Sequence, residues 1–206
     1  EKGTRPANPI PYQMHVEYSR QKSGLQVQFE SRKDVFGAET AGVPYIAYTP
    51  HTGEAPRNYV VLPGDKLEDS FPLDARGNFH LEIYGPNGFY RAFKGNAKDP
   101  ELDTVLNYEE GASKHTVTGN IVLMLRNRSS KSLSITITDN AYKTGSISKT
   151  IGAGKVLSLP IDLSKSSQWY DLSIRINNSK TFETRYAGHV ETGRPGITDP
   201  YMGGVI

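Results

Sequence analysis

Residues 78–96 read Asn-Phe-His-Leu-Glu-Ile-Tyr-Gly-Pro-Asn-Gly-Phe-Tyr-Arg-Ala-Phe-Lys-Gly-Asn. Phe79, Leu81 and Ile83 alternate with His80, Glu82 and Tyr84, the two-residue period of a half-buried strand. Gly85-Pro86-Asn87-Gly88 stops that strand, because proline presets φ and Asn-Gly tolerates the positive φ of a tight reversal. Phe89, Arg91 and Phe93 then alternate outward again, so the stretch is a β-hairpin. The chain writes this plan twice. In residues 169–188, Tyr170, Leu172 and Ile174 match Phe79, Leu81 and Ile83, and Asn177-Asn178-Ser179-Lys180 replaces the turn. Tyr186-Ala187-Gly188 matches Phe93-Lys94-Gly95, and Tyr170 stands 91 residues after Phe79.

Working outward, the same order of strand faces recurs along each half. Met14, Val16 and Tyr18 alternate in a first strand, Leu25, Val27 and Phe29 in a second, and Val43, Tyr45 and Ala47 in a third. Residues 58–62 and a strand near Leu67 to Leu73 complete the set before the hairpin. Beyond Pro100 the pattern restarts. Val105 to Tyr108 resembles Val16 to Tyr18, with Tyr108 taken as the partner of Tyr18. Ile121, Leu123 and Leu125 follow, then Leu133, Ile135 and Ile137, then Gly152-Ala153-Gly154 in the place of Pro63-Gly64-Asp65, then Leu157, Leu159 and Ile161. Strand spacing is kept while loops differ, as a duplicated β-domain requires. The expected fold is all-β: two tandem homologous β-sandwich domains of about seven antiparallel strands each. The boundaries read are 12–96 and 103–190, preceded by a linker over residues 1–11. Immunoglobulin-like and jelly-roll connectivity both remain open. A C-terminal tail over 191–206 is rich in glycine and proline, which resist a sheet interior. Its apolar Ile197, Tyr201, Met202, Val205 and Ile206 point to docking in a groove.

Composition narrows the function classes. A chain of 206 residues suits two domains of about 100. Twenty glycines, thirteen prolines and twelve tyrosines fit a turn-rich β protein. A net charge of +2 gives no footprint for nucleic acid. No apolar run reaches the length of a transmembrane segment. The absence of cysteine excludes disulfides and thiolate chemistry. A start at Glu1 without methionine leads us to expect a processed or cut chain.

The sequence offers no catalytic constellation. His15, His51, His80, His115 and His189 show no metal-ligand spacing and are expected on the surface or in turns. No nucleophile elbow occurs, and Gly152-Ala153-Gly154-Lys155 lacks the rest of a phosphate loop. Asp99, Glu101, Asp103, Glu109 and Glu110 read as a solvated connection rather than a calcium site. The candidate binding residues are Trp169, which faces outward if Tyr170 faces in, and Tyr90 and Arg91 beside the 85–88 turn. No catalytic residue, no metal ligand and no cofactor is expected.

Four motifs carry a family resemblance. They are Gly85-Pro86-Asn87-Gly88-Phe89-Tyr90-Arg91, Asp139-Asn140-Ala141-Tyr142, Trp169-Tyr170-Asp171-Leu172 and residues 188–200, Gly-His-Val-Glu-Thr-Gly-Arg-Pro-Gly-Ile-Thr-Asp-Pro. In this order they resemble the repeated C-terminal domain of bacterial phospholipases C of the non-haemolytic, phosphocholine-preferring kind. The likeness departs at Gly196, where serine is expected, and in the second repeat, which lacks Gly-Pro-Asn-Gly. The resemblance implies a non-catalytic accessory tandem of a secreted or periplasmic bacterial enzyme. It would support an N-terminal catalytic α/β domain of the same polypeptide, or that domain's approach to phosphatidylcholine or sphingomyelin at a phospholipid surface. Two other readings stand beside it: an independent carbohydrate- or surface-binding module using exposed aromatics such as Trp169, and a hydrolase complete in these residues.

Overall fold

A computed structural model describes residues 3–113 and 115–201. The strands in chain order are β1 (Pro6–Ala7), β2 (Met14–Arg20), β3 (Gly24–Ser31), β4 (Val43–Tyr48), β5 (Arg57–Val61), β6 (Lys66–Pro72), β7 (Asn78–Tyr84) and β8 (Tyr90–Asn96). The second half continues with β9 (Leu102–Glu110), β10 (Val117–Asn127), β11 (Leu133–Asp139), β12 (Ser146–Ile151), β13 (Val156–Ile161), β14 (Trp169–Ile176), β15 (Glu183–His189) and β16 (Gly196–Ile197). Every pairing is antiparallel. No described helix is long and apolar enough to cross a membrane.

The hairpin of residues 78–96 forms as its sequence dictates. Phe79, Leu81 and Ile83 are buried on the inner face of β7, with Gly95, Phe93 and Arg91 opposite them. At the tip the Phe89 amide donates to the Pro86 carbonyl, while Asn87 and Gly88 take φ of 52° and 72°. This is the left-handed geometry that Asn-Gly tolerates at little cost.

Each half is a two-layer sandwich. In the first, β2-β3-β6 faces β5-β4-β7-β8; in the second, β9-β10-β13 faces β12-β11-β14-β15. The connectivity is immunoglobulin-like, with the fourth strand moved beside the third instead of the fifth. Pair registers fix the equivalences. Phe79 and Tyr170 face Gly95 and Gly188, and Leu81 and Leu172 face Phe93 and Tyr186. One correspondence read from sequence shifts. Val16 faces Phe29 and Thr104 faces Leu125, so Tyr18 is equivalent to Leu106 and Tyr108 to Arg20. The sequence match aligned the two tyrosines, whereas backbone pairing aligns strands. Tyr108 donates to the His189 carbonyl and Arg20 to that of Asn96, the same place in each half.

The two four-stranded layers are not separate. β8 pairs with β15, joining them into one eight-stranded sheet, β12-β11-β14-β15-β8-β7-β4-β5. Arg91 faces Tyr186, Thr184 faces Phe93, and Ala92 faces Arg185. Since Arg91 is equivalent to Thr184 and Phe93 to Tyr186, a local two-fold axis passes between Ala92 and Arg185. Side chains of both halves enter one buried cluster, from Leu25, Phe29 and Phe93 to Ile121, Leu125 and Tyr186. The connection is pinned as well. Asp99 accepts from Thr181 Oγ1 at 2.7 Å and from Ser179 Oγ at 2.7 Å, and Arg20 donates to the Asp99 carbonyl at 2.9 Å. At the other end of the chain, β1 pairs with β16, so Pro6–Ala7 belongs to a strand where the sequence suggested linker.

Candidate functional site

The three candidate residues lie in three environments. Arg91 is 2% exposed. It sits on the inner face with Phe89 and Phe93, and its guanidinium lies 4.0 Å over Phe89 and 5.0 Å over Tyr186. Nη1 donates to the carbonyls of Tyr90 and Ala187 at 2.9 Å each, and Nη2 donates to Tyr170 Oη at 3.1 Å. Ala187 and Tyr170 belong to the second repeat, so Arg91 is a bolt across the seam and offers no surface to a ligand. This corrects the expectation of a binding residue beside the turn: Arg91 shares the buried face with Phe89 and Phe93.

Trp169 does point out of the second sandwich, but it is only 7% exposed. The segment after β15 returns across it. Its Nε1 donates to the Ile197 carbonyl at 3.2 Å, and His189 packs against the indole at 4.6 Å between ring centroids. Glu191, buried, holds this closure: it accepts from Asn87 Nδ2 at 2.8 Å, from the Ile10 amide at 3.3 Å, and pairs with His189 Nδ1 at 3.0 Å. An exposed Trp169 platform is therefore not what this chain presents. Residues 191–201 form no sandwich strand; of the apolar tail residues named above, Met202, Val205 and Ile206 lie outside the described residues.

Tyr90 remains at the surface. Its ring lies 4.9 Å from that of Tyr84, which meets Tyr48 edge-on at 5.5 Å. Ile46, Tyr48, Val60, Leu62 and Tyr84 are all exposed on this outer face of the large sheet. Beside them, loop 49–56 overhangs an open groove of about 660 Å³ lined by Tyr48, Thr49, Pro50, Gly53, Glu54, Glu82 and Tyr84. Glu82 accepts from Tyr84 Oη at 2.9 Å and pairs with His80 Nε2 at 2.8 Å. Burial alone would raise its carboxyl, but the bonds from Tyr84 and His80 outweigh that and hold it below the usual carboxylate range. Sequence reading found Tyr90 and missed Tyr48, Tyr84 and Glu82, which meet only through the β4–β7–β8 register.

The histidines depart from expectation. His51 and His115 are exposed in turns, but His15, His80 and His189 stand in strands, and His15 is 3% exposed. His15, Glu17 and Glu30 bring ligand atoms within 4.8 Å of one another. Burial lowers the His15 pKa, which suits a neutral ligand. Glu30, however, already holds Arg32 at 2.7 Å and Lys66 at 2.9 Å, so a divalent ion there competes with two protein cations. The acidic residues around the connection are dispersed: Glu101 pairs with Arg20, Asp103 with Arg128, and Glu109 accepts from Thr118 and Asn120.

Comparison with known proteins gives a consistent set of relatives. The family described as "Bacterial phospholipase C, C-terminal domain" matches residues 6–96 and again residues 102–189. The chain is 33% identical, over 98% of its length, to the "Non-hemolytic phospholipase C" of Pseudomonas aeruginosa, covering 29% of that protein. It is 31% identical over 98% of its length to the "Hemolytic phospholipase C" of the same organism, covering 30% of it. A "Non-hemolytic phospholipase C" of Burkholderia pseudomallei is 32% identical over 98% of the chain and 28% of the relative. The chain thus spans less than a third of the length of these relatives.

Proposed function

The chain belongs to the family of bacterial phospholipase C C-terminal domains, two copies in tandem, and from that premise we propose that it is the accessory, non-catalytic part of a secreted or periplasmic bacterial phospholipase C. Its partner is an N-terminal catalytic α/β domain of the same polypeptide, and its role is to support that domain and its approach to phosphatidylcholine or sphingomyelin. One observation carries the reading. The two family repeats fill nearly the whole chain and are fused by a continuous sheet, while the relatives are more than three times as long.

The physical logic follows from the seam. Strand pairing, the Arg91 bolt and the pinned connection make the tandem one rigid block rather than two beads on a linker. A rigid block fixes the orientation of whatever it carries. The purified chain is expected to give only background turnover on phosphatidylcholine and on p-nitrophenylphosphorylcholine. Turnover that survives repurification overturns the non-catalytic assignment.

A further inference from the structure

The groove at the outer face of the first repeat has the chemistry of a cation site. Glu82 is ionised, its side chain is 20% exposed, and it has no lysine or arginine within ion-pair distance among the described residues. Its imidazole partner His80 has a lowered pKa, from burial first and then the charge of Lys94. Lys94 also acts on Glu82, but through space and not as an ion-pair partner, so the carboxylate is held by the His80 ring and the Tyr84 hydroxyl alone. Around it stand the perpendicular rings of Tyr48 and Tyr84, with Glu54 on the overhanging loop. A half-buried anion walled by electron-rich ring faces attracts a cation by charge and by the ring quadrupoles together.

The second repeat supplies an internal control. By pair register, Tyr48, Glu82, Tyr84 and Tyr90 correspond to Thr138, Ser173, Arg175 and Glu183. The same sheet positions in the second repeat carry no aromatic ring, and the one acid among them, Glu183, is paired with Arg175 at 2.8 Å. The cluster is not a requirement of the sandwich.

We propose that this groove binds a quaternary or fully methylated ammonium group. Both Glu82 oxygens already accept a hydrogen bond, from His80 and from Tyr84. The groove offers charge and ring faces more than free acceptors, so it suits a cation that has no N–H to satisfy. An ammonium or guanidinium guest loses more hydration than the remaining acceptors, chiefly Glu54 and the free lone pairs of Glu82, restore. This assignment stands on the groove alone and is independent of the accessory role.

The test titrates the chain with tetramethylammonium, choline and ammonium, following backbone amide shifts by NMR. Tetramethylammonium is expected to bind at roughly millimolar affinity, with shifts confined to residues around Tyr48, loop 49–56, Glu82 and Tyr84. Glu82→Gln and Tyr48→Leu are each expected to weaken it about tenfold, with the melting temperature as the check on folding. Phosphatidylcholine and phosphatidylglycerol vesicles separate the two sources of the group. Recruitment to phosphatidylcholine alone, reversed by tetramethylammonium, identifies a lipid headgroup; binding of choline without vesicle recruitment identifies a soluble ligand. Equal affinity for ammonium and tetramethylammonium, shifts elsewhere, or wild-type affinity in both variants overturns the site.

Discussion

Replacing Tyr170 by phenylalanine removes one oxygen and, with it, the hydrogen bond that Arg91 Nη2 donates across the seam at 3.1 Å. Both residues are about 2% exposed, so water does not replace the lost acceptor. A hydrogen bond to a charged group contributes about 1.5–3 kcal/mol, and leaving its donor unpaired forfeits that. For a protein of this size, the loss corresponds to a fall in melting temperature of about 3–12 °C. Arg91→Met alone is a poor test. It loses the same bond but also relieves the cost of burying a cation among neutral partners, two effects of similar size and opposite sign. The cycle of single and double variants separates them. Tyr170→Phe should cost about 1.5–3 kcal/mol in the wild type and only a few tenths in Arg91→Met, giving a coupling of more than about 1 kcal/mol by urea denaturation. If Tyr170→Phe costs the same in both backgrounds, Arg91 is not the bolt described here.

Two further outcomes follow from particular contacts. A Cβ on Gly95 would meet Phe79 Cζ at 2.6 Å, whereas one on Gly152 meets only Lys155 Cγ at 3.4 Å; Gly95→Ala should destabilise by roughly 1–3 kcal/mol and Gly152→Ala by less than about 0.5, and equal effects in thermal melts contradict the packing. His15 is held neutral chiefly by burial, below its ordinary value of 6.5. Its folded pKa is depressed, so the unfolded chain takes the proton first. The stability is full above the unfolded value and is lost as pH falls through it toward the folded one. Melting temperature should drop between about pH 7 and pH 5, and His15→Gln should flatten that slope; an unchanged slope refutes it.

The fold was legible wherever one face of a strand is apolar. Phe79, Leu81 and Ile83, or Ile121, Leu123 and Leu125, announce their strands by alternation, and the hairpin tip follows from Asn87-Gly88. β12 was not legible. In Ser146–Ile151 only Ile151 is buried, because the strand lies at the sheet edge, so its sequence carries no alternation. The seam was also hidden, since nothing in the sequence of β8 says whether its free edge meets solvent or β15. The repeat announces two sandwiches but not how they meet, and the pairing of Arg91 with Tyr186 supplies that. At the candidate site, Tyr90 was visible as an outward aromatic beside a turn. Trp169 pointed outward as alternation required, yet burial there comes from a segment that returns some 28 residues later, beyond the reach of any local pattern.

The two-fold axis between Ala92 and Arg185 also bears on ancestry. Equivalent strands meet there in a register that maps onto itself, which is the defining property of an isologous contact between identical subunits. A lone repeat ending in a strand like β8 would expose that edge, and a second copy of the same repeat already complements it. The tandem is thus the covalent counterpart of a homodimer, with residues 97–101 as the tether between its two halves. The halves nevertheless differ at equivalent positions. The first carries aromatic rings and Glu82 on its outer face, while the second carries hydroxyls and the Arg175–Glu183 pair there.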